Sequence, residues 1–189
     1  MIGSRRFSQA ISEGDGISLI AWVQNSDDAR AAEAAGAEGL LIHSDVFGIR
    51  EATSLPLLRI DPGGDADAYI LSAAALQDEE LEQRYEGLLA RNVECVVEVT
   101  DNEQLELVLE RLDPEIFLLS PAAEDEGEEA AVERVLDLLP DVPAGKLAIA
   151  HLPAPTRQRV AELERIGFDA VTVGPHDVAE LVNAAPSEV

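Results

Sequence analysis

The sequence predicts an α/β chain folded as a shortened (βα)8 barrel, with helices missing or reduced around strands 2–4. Three observations lead there. Eight short aliphatic or β-branched runs recur along the 189 residues, and most are separated by Ala/Glu/Leu-rich windows of helical character. Alternation of this kind builds a parallel sheet covered by crossover helices. Eight units point to a closed barrel over an open doubly wound sheet, and no Gly-rich nucleotide fingerprint favours the latter. The links joining runs two, three and four are too short for full helical crossovers, which need about a dozen residues. Residues 1–189 are read as a single shortened barrel domain, a length that buries one core.

The elements follow in order. Ile17–Val23 is apolar almost throughout, as a strand buried on both faces should be. Asn25 to Asp28 supply caps for a short helix ending near Gly36. Leu40–His43 and Leu57–Ile60 are the next runs, the first followed by the turn-like SDVFG and the second closed by the breaker cluster Asp61 to Asp65. Ala68–Ser72 is the fourth run, and Asp78 opens a strong helix with Leu81, Tyr85, Leu88 and Leu89 on one face. The second half is more regular. Strands at Cys95–Val99, Ile116–Leu119, Leu147–Ala150 and Ala170–Val173 alternate with helices at Asn102–Leu112, Glu128–Leu139, Thr156–Ile166 and His176–Val182. The outer faces of strands 2–4 would lack helical cover, and exposed sheet is normally hidden by a partner. A homo-oligomer joined through that side is therefore expected. The alternation alone leaves open whether the shortened side pairs or leaves a gap.

Composition narrows the function. The chain is 47% hydrophobic and 27% charged, a globular balance, and it has no apolar stretch approaching the roughly 20 residues that cross a bilayer. The first residues lack the apolar segment of a signal peptide, so a cytoplasmic location is expected. With 38 acidic against 13 basic side chains the net charge is −25, which repels nucleic acids and anionic membranes. Lys146 is the only lysine among the 13 basic residues, a pattern that fits arginine-biased coding or a high-salt or hot habitat. A mechanism needing a lysine acid has only Lys146 to use. Cys95 stands alone, which excludes an internal disulfide and a multi-cysteine metal site.

The segments FSQAISEGDGISLIA, REATSLPLLRID, ILSAAALQDEEL, CVVEVTDNEQLE and FDAVTVG, in that order, resemble indole-3-glycerol phosphate synthase. The resemblance runs from about Phe7 to Val182, with deletions but no rearrangement. It implies a (βα)8-barrel lyase of tryptophan biosynthesis, which closes an indole ring on an anthranilate-derived ribulose phosphate with loss of carbon dioxide and water. No cofactor is expected. The family's first strand offers a glutamate and, two residues on, a lysine; here these are Trp22 and Gln24. The third carries a general-acid lysine in L-R-K-D-F, where this chain reads Leu58-Arg59-Ile60-Asp61-Pro62. Isoleucine cannot donate a proton. The fifth strand keeps its glutamate as Glu98. Ser120-Pro121-Ala122 replaces the sixth strand's asparagine run, and Ala150-His151-Leu152-Pro153 replaces S-E-S-G on the seventh. Gly174 survives from the phosphate loops, followed by Pro175.

The chain is thus expected to be a divergent, catalytically degenerate synthase-like barrel with a structural or binding role and a possible small-molecule ligand at its mouth. Two alternatives stay open: altered chemistry using Glu98 with His151 or Asp61, and residual synthase activity. Glu98 is a base or a leftover glutamate bonded to neighbouring amides. His151 is an acid–base group or a partly buried polar filler. Gln24, Ser120, Asp61, Trp22 and Gly174 are candidate ligand contacts, with Trp22 either stacking on a ligand or joining Ile60 in filling the old pocket. His43, Asp45, Asp61, Glu98 and His151 lie near strand ends, but their spacing is no recognised ligand motif, so no metal is expected.

Overall fold

The computed structural model describes residues 5–13, 16–60, 63–75, 78–121, 127–152 and 154–182. Eight parallel strands close into one barrel in chain order. They are β1 (Ser18–Trp22), β2 (Gly39–Ile42), β3 (Leu57–Arg59), β4 (Ala68–Ser72), β5 (Glu94–Val99), β6 (Ile116–Leu119), β7 (Leu147–Ala150) and β8 (Ala170–Val173). Closure comes from β1 pairing with β8, with Ser18 opposite Ala170 and Ala21 opposite Val173. This settles the gap left open by the sequence: β2–β3 and β3–β4 are both paired, so the shortened side closes.

Helices α2 (Ser26–Ala35), α4 (Asp78–Ala90), α5 (Asn102–Arg111), α6 (Glu128–Leu138), α7 (Arg157–Ile166) and α8 (Val178–Val182) follow β1, β4, β5, β6, β7 and β8. Their ends obey local chemistry. Asn25 accepts hydrogen bonds from the amides of Asp27 and Asp28, Asp101 caps Gln104, and Thr156 caps Arg159. Gly36 and Gly167 terminate α2 and α7. Among the described residues no helix is long and apolar enough to cross a membrane.

The shortened side matches the expectation in its helices and departs from it in its cover. After β2 there is only the four-residue α3 (Ile49–Ala52), and the described residues between β3 and β4 form no helix. Yet the outward-facing Leu57, Tyr69 and Leu71 are buried within the chain. The connecting segments lie against the sheet: Val46, Ala52, Leu55 and Ala66 pack on the same outer cluster. Polar ties hold them there. Tyr69 donates its hydroxyl to the Gly64 carbonyl at 2.6 Å, and the buried Arg59 pairs with Asp45 at 2.5 Å. Asp67 accepts from the Leu57 amide at 2.8 Å and from Arg50 at 2.7 Å, while Arg50 also reaches Asp65 at 3.0 Å. The bare sheet expected to drive self-association is therefore absent, because loops do the covering that helices do elsewhere.

Alternation along each strand divides the apolar residues into two clusters. Leu19, Ala21, Leu40, Val97, Phe117, Ala148 and Val171 face the helices, whereas Ile20, Leu41, Leu58, Ile70, Val96, Leu118 and Ile149 fill the barrel. Phe7 and Ile11 belong to the inner cluster, so α1 (Arg6–Ser12) stoppers the N-terminal end of the barrel. The residue before α1, Arg5, gives no side-chain cap. The cap comes from Glu94 at the start of β5, whose carboxylate accepts from the amides of Phe7 at 2.7 Å and Ser8 at 3.0 Å.

Two stability predictions follow. Glu94→Ala should cost about 1.5–3 kcal/mol in denaturant unfolding, the range for hydrogen bonds to a charged group, with Glu94→Gln in between; an unchanged midpoint in both would show that α1 needs no cap from β5. Gly64 sits at φ +86°, and a Cβ there would run into the Arg59 guanidinium and the Asp45 carboxylate. Gly64→Ala should thus cost at least the roughly 1–2 kcal/mol of left-handed strain, whereas an equal melting temperature would mean the Arg59–Asp45 tie is dispensable.

Candidate functional site

In barrels of this kind chemistry sits at the C-terminal ends of the strands. Continuing the inward register of each strand to that end gives Trp22, His43, Ile60, Ser72, Glu98, Ser120, His151, Thr172 and Gly174 around the mouth. Ser120 is almost wholly buried and donates its hydroxyl to Glu98 Oε1 at 2.8 Å. His151 is half-buried and meets Thr172 through its Nδ1, 2.8 Å from the threonine Oγ1. The ladder is extended past β6 and β7 by the Ser120 amide on Val99 and the His151 amide on Leu119. Glu98, Ser120, His151 and Thr172 thus form a polar wall on four successive strands. Glu98 is bonded to a neighbouring hydroxyl rather than to neighbouring amides.

Burial pulls the pKa of the His151 imidazole below its usual value, while the Glu98 carboxylate acts on it in the opposite direction. The ring is therefore neutral at physiological pH and carries one nitrogen, Nε2, that makes no hydrogen bond to the described residues. The two groups are linked electrostatically, the Glu98 charge favouring the protonated imidazole against the effect of burial.

Of the two readings of Trp22 on the opposite wall, stacking on a ligand or filling the pocket with Ile60, the exposure of 44% for Trp22 and 37% for Ile60 leaves the ring accessible. Both sit at the rim, where β1 and β3 end. Gln24 and His43 are exposed past the ends of β1 and β2. Asp45 is tied to Arg59, whose guanidinium holds the Asp45 carboxyl below the usual carboxylate range. No three metal-ligating side chains converge among the described residues, so His43 and Asp45 do not join Glu98 and His151. Asp61 and Pro153 lie outside the described residues.

At the end of β8 the Asp177 carboxylate covers Gly174: a Cβ there would meet its Oδ2 at 2.6 Å. An anion thus occupies the region where the resemblance puts a phosphate. Lys146 precedes β7 at the other end of the barrel and pairs with Asp113 at 2.6 Å. That end also opens a cavity of about 520 Å³ beside α1, α4 and the starts of β5 to β7. Of its lining groups, Glu94 is committed to α1, and burial pushes the Cys95 thiol up to about 12, so neither suits proton transfer near neutrality.

Sequence reasoning missed Thr172 and Asp177. Period-two alternation places Thr172 two residues before Gly174 and hence on the same inward face. Its pairing with His151 depends on the β7–β8 register, which a single sequence does not reveal.

An indole-3-glycerol phosphate synthase from Geobacillus sp. (strain WCH70) is 28% identical to this chain over 167 residues, covering 77% of the chain and 64% of the relative. The enzyme of that name from Variovorax paradoxus (strain S110) is 32% identical over 137 residues, 66% of this chain and 50% of its own. The one from Chlorobium phaeovibrioides is 28% identical, covering 90% of this chain and 79% of the relative. The chain resembles the indole-3-glycerol phosphate synthase family. It spans 64% of the Geobacillus relative's length and half of the Variovorax one's. No family model matches it. Among solved structures, an N-acetylmannosamine-6-phosphate 2-epimerase from Clostridium perfringens aligns with a TM-score of 0.65 at 12% identity, covering 93% of this chain and 95% of the epimerase. At that identity the match confirms the barrel fold alone.

The His151 shift sets a pH dependence. Its folded pKa lies below the unfolded value, so below about pH 6.5 the unfolded chain binds the extra proton and native stability falls with pH. Chemical denaturation at pH 7.5 and 5.5 should show a smaller loss for His151→Gln than for the parent protein; parallel losses would place the imidazole in water in both states.

Proposed function

We infer that this chain is a synthase-like barrel that does not carry out the family's ring-closing, decarboxylating reaction, and that its mouth serves as a binding site for a small molecule. The observation that carries the reading is the site of the family's general acid. Ile60 stands there, exposed at the rim, and the chain's one lysine lies at the far end of the barrel in an ion pair with Asp113. Expelling a hydroxyl needs a donor within hydrogen-bond reach of the leaving oxygen, and no ammonium is available in the mouth. Asp177 over Gly174 adds an opposing charge where a phosphate would sit. The reading includes no second copy of the chain, since the face expected to need one is covered internally.

A second reading is favoured by one observation. Glu98 and His151 flank Ser120 on neighbouring strands, and the carboxylate acts electrostatically on the imidazole. That arrangement suits proton transfer on a ligand held in the mouth, with Glu98 as base and His151 as the group that shares the proton.

The test is a sensitive turnover assay with the anthranilate-derived ribulose phosphate, run beside an authentic synthase. The expected result is no turnover in either the parent protein or Glu98→Gln. Product formed by the parent above the Glu98→Gln background would mean that the barrel has found another acid, and the reading would be abandoned.

A further inference from the structure

The two walls of the mouth differ. Strands β5 to β8 present Glu98, Ser120, His151 and Thr172, while β1 and β3 end in the large apolar Trp22 and Ile60 with the exposed His43 after β2 between them, and the loop after β2 carries the fully exposed Phe47. Trp22 stands at the end of β1 and Glu98 on β5, which are diametrically opposite in an eight-stranded closed barrel.

Glu98 is half-buried, and Oε1 is engaged by Ser120. Its other oxygen, Oε2, receives no hydrogen bond and no ion pair from the described residues. Among those residues no buried side-chain polar atom lacks a partner, so Oε2 is an atom that solvent reaches through the mouth. An oxygen of this kind, hydrated but left without a protein donor, is open to a cation that enters the mouth. Here no lysine or arginine belongs to the inward-facing ring: Arg59 is bonded to Asp45 on the outer side, Arg157 at the start of α7 donates to the Glu180 carbonyl, and Lys146 is at the opposite end. His151 is neutral near pH 7 and supplies no positive charge. Asp177 adds a second carboxylate beside Gly174. The net charge of −25 raises the local concentration of cations around the whole molecule.

We propose that the mouth binds a small organic cation, an amine or quaternary ammonium on a compact apolar body, with its charge at Glu98 Oε2 and its body against the indole of Trp22. An aromatic face and a carboxylate on opposite sides of one barrel mouth are the two groups that attract such a ligand, the ring through its quadrupole and the carboxylate through its charge. The proposal rests on the reading of the mouth as a binding site and reverses the charge of the ligand that the family resemblance implies.

Trp22 is the only tryptophan of the chain, so its fluorescence reports on the mouth without a label. The experiment titrates the full chain at constant ionic strength with choline, with its neutral isostere 3,3-dimethylbutan-1-ol, with anthranilate and with inorganic phosphate. A saturable change with choline is expected, about tenfold tighter than with the neutral alcohol and weakened about tenfold in Glu98→Gln, while anthranilate and phosphate leave the emission unchanged. Equal affinity for choline and the alcohol, or tighter binding of either anion, overturns the cation proposal and leaves the binding reading standing. No saturable change with any of the four overturns both. The choline–alcohol comparison uses the parent protein alone, so the proposal remains testable even where Glu98→Gln fails to fold.

Discussion

The pairing of β1 with β8 is the constraint on which the rest of the molecule depends. With β1 and β8 joined, no strand is left as an open edge, and strand side chains point either into the barrel or out toward its cover. That division selects the composition of both layers. Inward positions near the middle are aliphatic because they are dry, as with Ile20, Val96, Leu118 and Ile149. Inward positions at the C-terminal end open to water and can be polar, which is why Glu98, Ser120, His151 and Thr172 form one wall. Closure therefore makes the mouth by the same rule that makes the core.

Closure also survives heavy loss of cover. On the side of β2 to β4, where crossover helices have shrunk to a single turn, burial is achieved by polar ties to loop atoms: Tyr69 to Gly64, Arg59 to Asp45, and Asp67 to both Leu57 and Arg50. A hydrogen-bonded loop is a thinner layer than a helix, yet it keeps Leu57, Tyr69 and Leu71 from water. Stability there comes from a few specific contacts in place of a wide apolar stripe, which leaves less room for substitution at residues such as Gly64.

Much of this was legible in the sequence, for reasons that can be stated residue by residue. Strands such as Ile116–Leu119 and Ala170–Val173 were legible because both faces are buried, giving unbroken apolar runs between turn residues. Helices α2 and α7 carry their own stop and start signals at Asn25, Gly36, Thr156 and Gly167. Helix α1 was not legible, since its cap is Glu94, far along the chain, and α3 is too short to show a period. In the site, Glu98 and His151 could be located by their strand ends. Their partners could not, because Ser120 on Glu98 and Thr172 on His151 are facts of register between strands. Which of the two readings of Trp22 holds could not be told from the sequence, since how far a rim side chain folds inward depends on loop paths that length alone does not fix.

The long reach of the Glu94 contact bears on how the chain is made. The carboxylate that holds α1 is 87 residues from the Phe7 amide, and the partner of Ser18 on the last strand is Ala170. On a ribosome the N-terminal helix must wait for β5 to emerge, and although β2 can cover one edge of β1 early, its other edge must wait for β8. During that interval β1 offers an open edge to any neighbouring nascent chain. The surplus of acidic residues supplies mutual repulsion throughout the wait, so the charge that surrounds the finished barrel also guards its slow, non-local assembly.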